Sequence, residues 1–98
     1  MGENRINDLE QSIQKKLPKQ YKDCVIWPTD HSAMFLHRNL EYPLFMRIGS
    51  APYFVAEVIV YDPHAEKLDN AVRKGVKSVG CRVQYSMHYG NYTVYSIK

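Results

Sequence analysis

The sequence predicts one small α+β domain, a mixed sheet packed with two helices in the order α-β-β-β-β-α-β-β, and three observations carry that prediction. Tyr53 to Tyr61 is a β-branched and aromatic run whose only charge is Glu57, the pattern of a central strand covered on both faces. Pro63 to Val79 carries Ala65, Leu68, Ala71, Val72, Val76 and Val79 at three- and four-residue spacing, which makes one apolar stripe on a helix. Arg82 to Tyr89 and Tyr92 to Ile97 flank Gly90-Asn91, a two-residue turn whose first position suits the positive φ of a type II′ hairpin.

The local signals agree with this order. Ile6, Leu9, Ile13 and Leu17 space out a narrow helical stripe that Pro18 ends, after a frayed start over Met1 to Asn4. Cys24 to Trp27 predicts a short strand broken at Pro28, and Thr29 to Ser32 has turn chemistry. Ala33 to His37 and Leu44 to Ile48 predict two more strands, and Gly49 to Pro52 the turn into the central one. Asp62 stands where a helix N-cap is expected, with Pro63 at the first helical position, and Gly80 suits the C′ position that stops the helix. The hairpin turn sets the register: Tyr89 opposite Tyr92, Met87 opposite Val94, Tyr85 opposite Ser96. Val83, Tyr85, Met87, Tyr89, Tyr92 and Val94 then share one face. Arg82, Gln84, Ser86, His88, Thr93, Tyr95 and Ile97 share the other, mixed enough to border a partner.

Residues 1–98 form one domain, long enough to bury roughly two-thirds of the unfolded surface without metals or disulfides. A formal charge of +3 is compatible with a nucleic-acid partner but does not demand one. Two cysteines, Cys24 and Cys81, lack metal-type spacing and suit thiols of a reducing compartment, with one disulfide still open. There is no apolar run of transmembrane length and no signal-peptide core, so the expectation is a soluble intracellular protein of the cytoplasm or nucleus, without a membrane partner.

Catalytic and metal signals are sparse. His31, His37, His64 and His88 have no ligand spacing, no Gly-rich phosphate loop is present, and neither a metal nor a cofactor is expected. Asp30-His31-Ser32 contains triad residue types, but neighbours on a turn suit an Asx turn better than a base and its nucleophile. Glu57 inside an apolar strand must be paired, protonated or at an uncovered edge. A nuclease of the PD-(D/E)xK type would need a lysine two residues later, where Ile59 stands.

Tyr53-Phe54-Val55 in the strand, Ser78-Val79-Gly80-Cys81 at the helix end and Thr93-Val94-Tyr95-Ser96-Ile97 at the close together resemble the C-terminal, nuclease-fold domain of tRNA-splicing endonuclease subunits, over about half the chain. That family cleaves RNA to a 2′,3′-cyclic phosphate and a 5′-hydroxyl using a tyrosine, a histidine and a lysine as base, acid and charge stabiliser. Here Ser50 stands at the histidine position, Cys81 at the lysine position, and His37 near the tyrosine position with Tyr42 as a possible substitute. Ser50 and Cys81 cannot do the work of the residues they replace. The resemblance therefore implies a non-catalytic structural subunit, with no catalytic residue of its own, that scaffolds an active chain in tRNA splicing.

Members of that family assemble as dimers or tetramers, partly by pairing last strands. The implied interface is Tyr92, Val94, Tyr95 and Ile97, against the alternative that these side chains cover the domain's own core. RNA, a tRNA precursor, would meet Arg73, Lys74, Lys77 and Arg82, against the alternative of a solvated helix face. Lys15, Lys16, Lys19 and Lys22 crowd the end of the first helix, where they complement its dipole, against the alternative of an RNA-contacting patch. Two rivals stand beside the subunit: a stand-alone protein-interaction module, such as a small regulator or inhibitor of mobile-element origin that binds no RNA, and a minimal metal-dependent nuclease using Glu57 with His37 or His64.

Overall fold

The computed structural model describes residues 2–22, 27–29, 43–49 and 55–98. Its centre is β3 (Ala56–Tyr61), flanked by β2 (Leu44–Ile48) and β5 (Tyr92–Ile97), with β1 (Trp27–Thr29) beyond β2 and β4 (Val83–Tyr89) beyond β5. β1 runs parallel to β2, and every other pair is antiparallel, so the sheet is mixed. β3 and β4 therefore run in the same direction with β5 inserted between them. The helix that joins them, α2 (Asp62–Ser78), crosses from the centre of the sheet to its edge. The α+β class and the element order are as expected, except that the predicted strand Ala33–His37, residues 24–26 of the predicted first strand and the start of the Tyr53 strand lie outside the described residues.

Alternation along the strands produces two clusters. Leu44 and Met46, Ala56, Val58 and Val60, and Tyr95 and Ile97 point to one face. There they pack under Ile6, Leu9, Ile13 and Leu17 of α1 (Gly2–Lys16) and its exit, and under Leu68, Ala71, Val72 and Val76 of α2. Burying each leucine, isoleucine, valine or methionine side chain among them stabilises by about 1.5–3 kcal/mol. On the opposite face Phe45, Ile59, Tyr92 and Val94 form a second buried cluster, with Tyr61 packed against it and no helix residue included. β3 is thus buried on both sides, as its composition predicts.

The two helices touch at a glycine. A Cβ on Gly75 would stand 2.7 Å from the Ile13 Cα, and the Ser12 hydroxyl donates to the Gly75 carbonyl at 2.7 Å. A glycine costs about 1 kcal/mol against alanine in a helix interior, and here it permits backbone-to-backbone approach. α2 ends in a Schellman motif: Gly80 has φ +76, its N–H donates to the Lys77 carbonyl, and the Cys81 N–H donates to the Val76 carbonyl.

Four local expectations change. α1 begins at Gly2, so residues 2–4 belong to it. β1 continues through Pro28; its only partner among the described strands is β2, and a proline is tolerated at such an edge. Tyr61 is the cap residue of α2 and no side-chain cap bond is made; the Asp62 carboxylate instead accepts from the Thr93 hydroxyl at 2.9 Å, tying the helix start to the hairpin. A bulge between Val83 and Tyr85 moves two residues across the sheet. Val83 packs on the helix side, and Gln84 donates to the Ser96 hydroxyl on the other.

Candidate functional site

The hairpin forms as its turn residues dictate. Gly90 has φ +60, no non-glycine residue described has a positive φ, and all three expected pairs are made, the pattern of a type II′ turn. In such a hairpin the residues flanking the turn are a hydrogen-bonded pair, and pairs alternate from there. Tyr85, Met87 and Tyr89 therefore aim their backbone N–H and C=O at β5. Ser86 and His88 aim theirs outward, where no described strand pairs with β4.

Register places rungs of side chains across the face opposite the helices. The first holds Tyr61, Tyr92 and Tyr89, the second Phe45, Ile59, Val94 and Met87, and the third Arg47, Glu57, Ser96 and Tyr85. Each rung is sheltered in the middle of the sheet and open at β4. Tyr92 is 1% exposed, whereas Tyr85, Met87 and Tyr89 are 54%, 46% and 40% exposed. Ser86 and His88, on the other face of β4, are exposed as well. The strand carries no lysine, arginine, aspartate, glutamate or proline, the residues with which edge strands usually discourage pairing.

The third rung explains Glu57. Its carboxylate accepts a hydrogen bond from the Arg47 guanidinium directly opposite on β2, so the charge inside the apolar strand is paired. This pairing gives the carboxylate a structural role. His64, its suggested catalytic companion, bonds elsewhere: its Nδ1 lies 2.7 Å from the Tyr21 hydroxyl, and its ring meets Tyr21 edge-on. His37 lies outside the described residues, as do Ser50, Tyr42, His31, Asp30 and Cys24. Cys81 is a buried free thiol, and no group of three metal-ligating side chains occurs among the described residues.

The proposed interface residues Tyr92, Val94, Tyr95 and Ile97 are all buried, and both edges of β5 are already paired. They are core of this chain, so the last strand cannot accept a partner's strand at its edge. Tyr95 is held from two sides: its hydroxyl donates to Asp69 at 2.8 Å, and the Arg73 guanidinium lies 5.6 Å from its ring centre. Burial first, then the hydrogen bond to Asp69 and that carboxylate's charge, push the Tyr95 phenol well above its ordinary value, with Arg73 opposing. The proposed RNA contacts Arg73, Lys74, Lys77 and Arg82 are all exposed, and Arg73 also pairs with Asp69 at 3.0 Å.

Sequence reasoning placed Tyr85, Met87 and Tyr89 on one face but missed that they are the open part of it. A signal was available. β5 is apolar on both faces, with Tyr92 and Val94 on one and Tyr95 and Ile97 on the other, whereas β4 alternates its stripe with Gln84, Ser86 and His88. Two-sided apolarity marks an interior strand and one-sided polarity an outer one.

Among the described residues no helix is long and apolar enough to cross a membrane. Comparison with protein-family models, with characterised proteins and with solved structures found no match to this chain.

Proposed function

We propose that this domain works by binding a protein along β4, in the soluble intracellular setting that its cysteine usage suggests. One observation carries the reading: three successive same-face side chains, Tyr85, Met87 and Tyr89, stand exposed on an uncharged strand that has no described neighbour on its outer side. Tyrosine and methionine are enriched at protein interfaces, and an edge strand supplies backbone donors and acceptors to a partner. The test is capture of partners from native extract by the tagged chain and by its Met87→Asp variant. Loss of a salt-resistant partner with Met87→Asp but not with Lys74→Glu supports the reading, and equal capture by both variants refutes it.

In its narrower form the partner is a catalytic subunit of a tRNA-splicing endonuclease-like assembly, scaffolded by a chain that does no chemistry. β4 then takes the place the family gives its last strand, and Arg73, Lys74, Lys77 and Arg82 supply RNA contacts, supported by their exposure. Charge reversal at Lys74 and Lys77 should weaken binding of precursor tRNA and flatten its salt dependence, since each neutralised phosphate steepens that slope. An unchanged slope leaves the lysines as ordinary surface and favours an interaction module without RNA.

A further inference from the structure

Resting on the reading of β4 as the binding edge, we infer that its occupant is a second copy of this chain, paired antiparallel about a two-fold axis through Met87. The strand is self-complementary in three respects. Its exposed segment Tyr85-Ser86-Met87-His88-Tyr89 is near-palindromic, with tyrosines two residues to either side of Met87 and short polar or imidazole side chains between. An isologous interface demands this property, because residue i must meet residue j and j must meet i. About this axis Tyr85 faces the partner's Tyr89, and Met87 faces the partner's Met87.

The hydrogen-bond phase fits the same axis. Because the type II′ turn makes Tyr89 and Tyr92 a bonded pair, the outward N–H and C=O groups of β4 belong to Ser86 and His88. In the symmetric pairing Ser86 meets the partner's His88 and exchanges both bonds with it, twice over, so the outward groups of both residues are satisfied. Met87 then falls in a non-bonded pair, where opposed Cα atoms approach to about 4.5 Å and side chains touch most closely. Tyr85 and Tyr89 occupy the same close kind of pair, which suits aromatic contact.

Electrostatics raises no obstacle. The strand has no lysine, arginine, aspartate or glutamate to meet its own sign across the axis. Pairing also extends the three rungs into a neighbouring copy, so the half-exposed stripe continues the buried cluster of Phe45, Ile59, Tyr92 and Val94. The product is one continuous sheet through two domains.

Sedimentation of the full chain from micromolar to millimolar concentration reads the assembly, and cysteine cross-linking reads its register. The expected result is a reversible doubling of mass that Met87→Arg abolishes while its thermal unfolding stays cooperative. Met87→Cys should form a covalent dimer under mild oxidation, because the expected Cα separation suits a disulfide. Tyr85→Cys should not cross-link alone but should do so when mixed with Tyr89→Cys. A chain that stays monomeric throughout, a dimer unaffected by Met87→Arg, or one in which Tyr85→Cys links to itself would overturn the inference. If the chain is monomeric yet Met87→Asp still loses a captured partner, self-pairing fails and the broader β4 reading survives. If that capture is also unchanged, both fail.

Discussion

β4 and β5 are the two arms of one hairpin and have nearly the same aromatic content, yet they have opposite fates. β5 holds Tyr92 and Tyr95 at 1% and 2% exposure, whereas β4 leaves Tyr85, Met87 and Tyr89 in the open. Position in the sheet makes the difference, because β5 sits between β3 and β4 while β4 has one described neighbour. Tyrosine suits both places: its ring buries apolar area and its hydroxyl finds a partner, Asp69 for Tyr95. A tyrosine-rich strand is therefore not an interface until the strand order is known.

The sharpest way to break this comparison is to truncate matching residues on the two arms. Tyr95→Ala should cost about 3–5 kcal/mol of unfolding free energy, as large buried aromatics do. Tyr85→Ala should change it by no more than about 0.5 kcal/mol. Denaturant melts of both variants decide this, and similar losses would mean the arms are equally packed.

The helix-covered side of β5 can be tested from above. Gly75→Val would drive a branched side chain into the Ile13 backbone, and overpacking of this kind costs about 1–3 kcal/mol. It acts on the layer over Tyr95 and Ile97 and should leave association through β4 intact wherever the domain still folds. Thermal unfolding and sedimentation of the same sample check both halves.

The folds of both arms were legible in the sequence for different physical reasons. The register followed from Gly90-Asn91, because a two-residue turn leaves no freedom in which residues face each other. The helices followed from apolar spacing, and all four residues of the first stripe are buried. Strand order was legible only in part: the two-sided apolarity of β5 marks it as interior, but no local signal pairs it with β3 across α2. The resemblance, whose members pair their last strands, points to Tyr92, Val94, Tyr95 and Ile97 as an interface, but β5 is paired on both sides within this chain. The bulge at Gln84 was hidden as well, because alternation alone predicts no extra residue. Gly75 could have been found: a glycine inside an otherwise strong helical stripe usually has a packing reason.

A smaller effect separates the tyrosines chemically. The folded chain holds the Tyr95 proton to higher pH than the unfolded chain, whose phenol titrates near 10. The unfolded state then binds fewer protons, so stability falls as pH climbs past that value. Tyr95→Phe should lose about 1 kcal/mol at neutral pH with the Asp69 hydrogen bond, and its stability should decline less steeply in alkali. Chemical unfolding on both sides of that pH measures it; parallel curves for the two proteins would contradict the buried phenol.

The most direct test of β4 as the binding edge is amide hydrogen exchange along the hairpin, residue by residue, in dilute and in concentrated protein. In dilute protein Ser86 and His88 should exchange quickly while Met87, Tyr89 and the amides of β5 are protected, because only the outward groups lack a described neighbouring strand. In concentrated protein Ser86 and His88 should gain protection and the others stay as they were. Protection of Ser86 and His88 equal to that of β5 in dilute protein would contradict β4 as an open binding edge, and no gain on concentration would contradict its pairing with a second copy.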